Sequence, residues 1–380
     1  MKICFFSHGS GTNQDGATLS MLNIMEELAE RGHQVIGIMA NDVNLSDIKR
    51  KKNIKFYFIP SYDMRLNLKT KGFYIELKYF IKNKVNWFIM KKTLNVLKKE
   101  NIDIIHINGL NNGIGALVAK HLNIPYIWHI RQLMQEDLNQ RLYNQKQVWP
   151  MVKAADDVIA ISKVVKDKFE VEFSREIKVV YNGVPLEDYQ VKNHEIFINE
   201  RTKLILPGRI VEGKGQLDAV KAVQEIVKNG NRKILLILSG HSQDQYAEQL
   251  KKYVFKNNLS DYVEFQEHNP DLRKLRSVCD IGLTCSKKEA FGRVTVENQM
   301  AGLLAIGADT GGTPEIIEHG KTGILYHEGD YNSLAEQIEY AIRNKVKMRK
   351  LAQNGYLNAI EKYSIDRVVN QVLEIYSLCL

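Results

Sequence analysis

The sequence predicts an α/β protein of two doubly wound units, each a parallel sheet with helices on both faces. Three observations predict it. The chain has 380 residues, enough for two domains at roughly 100–200 residues each. Short apolar runs alternate with segments of helical period through the first half. The same alternation restarts near residue 200. Buried runs alternating with helices argue for parallel strands, because the crossovers cover both faces of the sheet.

The elements follow in order. KICFFS (2–7) reads as a first strand, followed by a loop through Gly16. Residues 17–31 form an amphipathic helix with Leu22, Met25, Leu28 and Ala29 on one face, stopped by Gly32. Apolar runs at 33–39, 103–107, 124–130, 156–160 and 177–181 continue the sheet, with helices such as 113–122 between them. Ser162 is placed to cap the helix after the fourth of these runs. The polar stretch 185–200 reads as a linker. In the second half KLILPG (203–208), KILLILSG (233–240), YVEFQ (262–266), DIGLTC (280–285) and LLAIGA (303–308) are strands, with a helix from about Gln216. Residues 331–380 read as mostly helical. The two units are expected to meet at the carboxyl ends of their strands, where a ligand would lie.

Composition removes several classes. With 44% hydrophobic residues the chain is not disordered, and 7 Pro with 25 Gly excludes a collagen-like or low-complexity architecture. No uncharged apolar window is long enough to span a bilayer, and the N-terminal run is too short for a signal peptide. Cys4, Cys279, Cys285 and Cys379 form no CxxC pair, so a reduced, cytoplasmic setting is expected and a zinc site is not. Charge is concentrated. Residues 49–99 hold 15 Lys/Arg against Asp63 and Glu76, a local +13 in a chain of +9, so the remainder sums to −4. The same window carries Phe73, Tyr74, Trp87 and Phe88. Such a stretch fits an anionic membrane surface or a nucleic acid, or is merely a solvated lysine-rich face.

Three motifs carry chemistry. In EAFGRVTVE (289–297) a helix starts near Arg293, with Glu289 in the loop before it and Glu297 one turn inside. The free N–H groups of Gly292, Arg293 and Val294, at the positive end of the helix dipole, suit a diphosphate. Glu297 then reaches a ribose diol and Glu289 a sugar beyond the phosphates. The plain alternative is a solvated helix with two surface acids. GRIVEGKG (208–215) places Arg209 and Lys214 at a strand end, where two cations can neutralise a leaving diphosphate. It is not a Walker A loop, since Gln216 stands where a Ser or Thr would bind magnesium. In GADTGGTPEIIEHGKTGILY (307–326), Gly311-Gly312 marks a tight turn into a helix with Pro314 early and Glu315 in its first turn. Helix capping and a ligand role are equally open there.

Taken together, ATLSMLNIMEELAERGHQV, DIIHIN, AISKVVKDKF, YNGV, GRIVEGKG, EAFGRVTVENQMAG and GADTGGTPEIIEHGKTGILY resemble the retaining, nucleotide-sugar-dependent glycosyltransferases of family 4, the group 1 glycosyltransferases. The resemblance spans nearly the whole chain and is most specific over 202–330. It implies the GT-B architecture, two Rossmann-like domains facing across a cleft. The acceptor domain would be 1–190, the nucleotide-sugar domain 191–363, and 364–380 a helix returning to the first domain. It also implies that Arg209 and Lys214 bind the diphosphate, Glu297 the ribose and Glu289 the transferred sugar, with Arg209, Lys214 and Glu289 the catalytic set. Phe291, Gly292, Arg293 and Val294 would complete the donor loop. Gly16 would let the backbone approach the phosphates, and His268 and Asn269 would lie near the base.

Some positions depart from the family pattern. Many members have His-x-His where this chain has His106-Ile107-Asn108, so Asn108 would contact sugar without shuttling a proton. His129 and Arg131 match an acceptor-side pair. Asp15-Gly16 replaces the common Gly-Gly, and Ala290 a Gly. There is no Asp-x-Asp string, so no metal and no other cofactor is expected. Retention is implied by the resemblance alone. The expected reaction is transfer of a hexosyl or N-acetylhexosaminyl group, with UDP-sugar the expected donor. The acceptor would be lipid-linked or another saccharide in bacterial surface polysaccharide, teichoic-acid or glycan assembly, met at the inner face of the cell membrane through 49–99. The alternatives are a non-catalytic glycosyltransferase-like subunit and a UDP-N-acetylglucosamine epimerase. A nucleic-acid partner leaves the C-terminal motifs unexplained and is not expected. Oligomeric state stays open.

Overall fold

A computed structural model describes residues 1–8, 16–40, 53–192, 194–241, 245–267, 269 and 271–380. They form two compact units: unit 1 is Met1–Gly183 with Ile365–Leu380, and unit 2 is Val184–Ser364.

Unit 1 runs β1 (Lys2–Ser7), α1 (Gly16–Glu30), β2 (Gln34–Met39), β3 (Ile54–Phe58), β4 (Arg65–Asn67), α2 (Phe73–Leu97), β5 (Ile104–Asn108), α3 (Ile114–Leu122), β6 (Tyr126–Ile130), β7 (Gln140–Leu142), α4 (Gln145–Lys153), β8 (Asp157–Ala160), α5 (Lys163–Phe173) and β9 (Lys178–Val179). Its main sheet has the order β3-β2-β1-β5-β6-β8-β9, every pair parallel. The order reverses between β1 and β5, and α/β sheets bind ligands at the carboxyl ends of their strands beside such a switch point. β5 and β6 are buried along their whole length, which explains why their residues are mostly apolar and leaves His106, Asn108 and His129 buried among them. Ser162 caps α5, its side chain accepting from the Val165 amide at 3.3 Å. At the opposite ends of the strands, Lys2, Lys55 and the Tyr57 hydroxyl all hydrogen-bond Glu100 and hold its carboxyl down to about 2.

Unit 2 runs β10 (Thr202–Pro207), α6 (Gln216–Lys228), β11 (Ile234–Ser239), α7 (Gln245–Lys256), β12 (Val263–Gln266), α8 (Arg273–Arg276), β13 (Ile281–Thr284), α9 (Arg293–Met300), β14 (Leu304–Ala308), α10 (Thr313–Ile316), β15 (Ile324–Tyr326), α11 (Tyr331–Arg343) and α12 (Lys345–Tyr363). The sheet order is β12-β11-β10-β13-β14-β15, again all parallel, and it reverses between β10 and β13. The chain then returns to unit 1 as α13 (Ile365–Cys379). Val368, Val369, Val372 and Tyr376 of α13 share one core with Ile3, Met21 and Leu28.

The two compact units divide after Gly183, where Val184 bridges Ser364 and its amide donates to the Tyr363 carbonyl at 2.9 Å. One expectation changes. The stretch 185–200 is no loose linker. Ile196 and Phe197 are buried in the unit 2 core, the Phe197 amide donates to Asp280, and Arg349 donates to the carbonyls of both residues. Its charged residues hid that packing from a composition reading.

Candidate active site

In unit 2 both sequence motifs follow strands at the switch point: GRIVEGKG follows β10, and EAFGRVTVE runs from the loop after β13 into the first turns of α9. The two loops touch. Gly215 has φ +71, and a Cβ there would sit 2.0 Å from the Cys285 carbonyl oxygen, so only glycine fits. The Lys287 amide donates to the Gly213 carbonyl at 3.2 Å. From the other side the Gly312 amide donates to the Glu289 carbonyl at 2.7 Å, and a Cβ on Gly311 (φ +58) would lie 2.2 Å from that same oxygen. The Gly-Gly turn, equally open from sequence, therefore clamps the Glu289 loop.

That clamping sets the charges. Lys214 Nζ donates to Glu289 Oε2 at 2.8 Å. Burial pushes the Glu289 carboxyl up, but the charge and hydrogen bond of Lys214, with a further bond from Ser286, hold it below its usual value. Arg209 is exposed, and among the described residues no acid or hydrogen bond holds its guanidinium. Gly292 (φ +97) is the N-cap of α9 and brings no side chain to that N-terminus. Val294 is half-buried in the first turn. Phe291 is 2% exposed and packs edge-on to Tyr363 at 5.7 Å, so its ring steadies the loop from inside.

Glu297 is neither solvated nor free. Its Oε2 accepts from Arg276 Nη2 at 2.9 Å and its Oε1 from Arg293 Nε at 2.8 Å. Arg276 is fully buried, bonds Asn298 Oδ1 at 3.1 Å, and lies 5.3 Å from the Tyr189 ring; Arg293 donates to the Tyr189 hydroxyl at 3.2 Å. The sequence reading missed Tyr189 and Arg276. Arg276 sits among charged neighbours and looks like a surface residue, so no local signal marks it. Asn269 is exposed, its Oδ1 accepting from the Asp271 amide, and His268 lies outside the described residues.

In unit 1 the predicted acceptor-side residues converge at the ends of β5 and β6. Asn108 and His129 are register partners. Arg131 Nε donates to Asn108 Oδ1 at 2.6 Å and Nη1 to Asn182 Oδ1 at 2.5 Å. His129 Nδ1 lies 3.1 Å from His106 Nε2, and His106 Nδ1 lies 2.6 Å from the Tyr376 hydroxyl of α13. Burial, then the Arg131 charge, drives both histidines well below their usual value, so both are neutral. Gly16 opens α1 and is exposed, with open space where a Cβ would sit. At the β1–β5 switch point a pocket is lined by Ser7, His8, Asn108, Asn111, Asn112 and Trp128, among others. Among the described residues no three His, Cys, Asp or Glu converge as metal ligands, and no helix is long and apolar enough to cross a membrane.

The comparisons with known proteins fall on the same two regions. The family model for Glycosyltransferase Family 4 matches residues 14–188, and that for Glycosyl transferases group 1 matches residues 190–358. N-acetyl-alpha-D-glucosaminyl L-malate synthase of Bacillus anthracis is 26% identical over 366 residues, 92% of this chain and 91% of that protein. The capsular polysaccharide biosynthesis glycosyltransferase CapM of Staphylococcus aureus is 24% identical over 361 residues, 86% of this chain and 91% of that protein. In fold, the chain matches Anabaena HepE, solved with UDP and glucose, at a TM-score of 0.78 and 21% identity over 99% of each chain. With a parallel sheet in each unit and one family model on each half, the chain belongs to the group 1, family 4 glycosyltransferases and has their GT-B fold.

Proposed function

We propose that the protein transfers a hexosyl or N-acetylhexosaminyl group from a UDP-sugar to a lipid-linked or other saccharide acceptor, with retention of configuration and without a metal. The setting is bacterial surface polysaccharide, teichoic-acid or glycan assembly at the inner face of the cell membrane, which the basic stretch 49–99 would meet. The observation that carries this reading is the group at the unit 2 switch point. Lys214 is held on Glu289, Arg209 is exposed with no acid on its guanidinium among the described residues, and the start of α9, with glycine at its N-cap, follows in the same loop as Glu289. Relatives named for glucosaminyl transfer and capsule synthesis, and a fold neighbour holding UDP and glucose, support the class of donor and acceptor.

The chemistry follows from those groups. The bond between the anomeric carbon and the diphosphate oxygen breaks, and negative charge grows on the leaving phosphate. Arg209, the Lys214 ammonium and the α9 N–H groups neutralise it. Glu289 accepts from hydroxyls of the transferred sugar. The acceptor oxygen attacks from the face the phosphate leaves, and its proton passes to that phosphate. No protein base is required.

A thermal-shift panel of nucleoside diphosphates tests the reading. UDP at about 100 times its Kd stabilises by about 2.7 kcal/mol. UDP raises the melting temperature, Lys214→Ala removes the rise, and EDTA leaves it intact. A rise that appears only with manganese overturns the metal-free part, and no rise with any nucleotide overturns the donor assignment.

A further inference from the structure

Helix α2 is built inside out. Its buried face carries Asn86 and Thr93, with Met90 and Leu97. Asn86 exchanges hydrogen bonds with the Tyr62 backbone at 2.8 and 2.9 Å, and Thr93 donates to the Ile89 carbonyl at 2.9 Å. Its outer face carries Phe73, Tyr74, Phe80, Ile81, Trp87 and Phe88, of which Phe73 is 77%, Tyr74 84% and Phe88 64% exposed. A water-facing helix puts its polar residues out and its aromatics in. This one does the reverse, over the longest helix among the described residues.

The lysines identify the occupant. Lys78, Lys82, Lys84, Lys91 and Lys92 stand on this helix against one acid, Glu76, which itself faces Arg141 at 3.7 Å. Lys91 lies 3.7 Å over the Trp87 ring and Lys84 5.6 Å over Phe80, so charged heads sit beside the apolar stripe. Among the described residues no carboxylate pairs with Lys78, Lys84, Lys91 or Lys92. A second copy of the chain would set these lysines against themselves. An anionic bilayer offers apolar depth to the stripe and negative headgroups to the lysines at once.

The inner side of the same helix is also informative. Ile89 and Thr93 form part of the wall of the pocket at the β1–β5 switch point, opposite Ser7, His8 and Asn108. The docking face and the pocket wall are two sides of one helix.

We infer that α2 is an in-plane membrane anchor: its aromatic stripe enters the headgroup boundary of an anionic bilayer, its lysines stay among the headgroups, and the pocket behind it takes its saccharide acceptor from that bilayer. This deepens the lipid-linked acceptor reading above and rests on it only for the acceptor.

Sedimentation of the full chain with vesicles tests the anchor. Vesicles of phosphatidylcholine alone and of mixed phosphatidylcholine and phosphatidylglycerol are compared. The chain binds the mixed vesicles and not the neutral ones. Trp87→Ser with Phe88→Ser, and separately Lys84→Gln with Lys91→Gln, each weaken binding at least about tenfold. Both variants keep the melting temperature and the UDP-induced shift, since the residues changed are exposed and the donor loops are in unit 2. Equal binding to both vesicles, or variants that bind as the parent does, overturns the anchor. A parent that is dimeric in vesicle-free buffer, with the serine variant monomeric, assigns the face to a second copy and also overturns it. For the acceptor, transfer to a polyprenyl-linked saccharide in vesicles falls with the variants while UDP-sugar hydrolysis without vesicles does not. An equal fall in both overturns that part. Loss of every nucleotide shift with vesicle binding intact removes the glycosyl-transfer reading and leaves the anchor standing.

Discussion

At the carboxyl ends of β5 and β6, unit 1 joins neutral partners: Tyr376 to His106, His106 to His129, and Asn108 and Asn182 to a single charge, Arg131. At the switch point of unit 2 the partners are charges: Lys214 on Glu289, and Arg276 and Arg293 on Glu297. Both sheets are parallel and reverse once, so the backbone offers each the same kind of crevice. On the function proposed above, the difference lies in what each crevice would hold. A leaving diphosphate needs cations already in place, and in the low dielectric of a loop cluster such cations need anionic partners until donor arrives. A saccharide acceptor needs directional donors and acceptors with little net charge. Under that proposal the same topology divides the chemistry between its two copies.

The sharpest way to break this contrast is Glu297→Leu. The change leaves the buried Arg276 guanidinium with Asn298 and the Tyr189 ring but no counter-charge among the described residues, and removing one partner of a buried ion pair costs about 3–5 kcal/mol. Hydrogen exchange, read unit by unit, shows the loss in unit 2 with unit 1 protected as before. If Glu297→Leu kept parental stability and lost only activity, Glu297 would be a ligand residue and not a keystone of the loop.

Next is Lys214→Ala. Removing one preorganised charge from a developing oxyanion lowers kcat by about 10²–10³, or about 2.7–4 kcal/mol of barrier. Steady-state transfer assays check it. A change confined to KM would make Lys214 a ground-state contact and weaken the claim that unit 2's charges serve the transition state.

Acidification distinguishes the units in the opposite sense. His106 and His129 have folded values well below their unfolded value near 6.5, so the unfolded chain binds protons that the folded chain refuses. Their contribution is present above about pH 6.5 and is lost as pH falls below it, by about 1.4 kcal/mol per pH unit for each histidine while it stays neutral in the fold. Unit 1 is therefore expected to open first between pH 6.5 and 5, and His106→Phe reduces the slope. Tryptophan fluorescence follows this, since Trp87, Trp128 and Trp149 are all in unit 1. A flat stability profile over that interval would mean the pair takes up a proton while folded.

The same contrast governs what could be read from sequence. Strands buried on both faces announce themselves as apolar runs, and the loops after β10 and before α9 announce themselves as motifs, because glycine and charge recur at fixed local spacing. Helix α2 did not, since its aromatics face outward and Asn86 and Thr93 inward, which erases the usual amphipathic period. β4 and β7 are three residues each and, among the described residues, pair only with one another, too short to show alternation. Tyr376 and His106 are 270 residues apart, and Arg276 and Glu297 21 apart on separate helices. No spacing rule connects such pairs; only the closed fold does. Even the Gly311-Gly312 turn, visible as a turn, showed its purpose only where it meets the Glu289 carbonyl.

The smallest expected effect probes the neutral side of the contrast. Tyr376→Phe keeps the ring in its edge-on contact with His106, 5.9 Å between centroids, and deletes only the hydroxyl. His106 Nδ1 then has no partner in a fully buried site, and an unsatisfied buried group of this kind costs about 1–3 kcal/mol. The hydroxyl also selects between two tautomer patterns. If it donates to Nδ1, His106 donates from Nε2 to His129 Nδ1; if it accepts, both protons reverse. Without it His106 is free to adopt either, and nitrogen-15 shifts of the two rings should move together even though only one has lost a neighbour. The UDP-induced thermal shift, which depends on unit 2 charges, should stay as in the parent. Rings that titrate independently in the variant would show that the three groups form two separate contacts, and a diminished UDP shift would show that the division of chemistry between the units is not as clean as their side chains suggest.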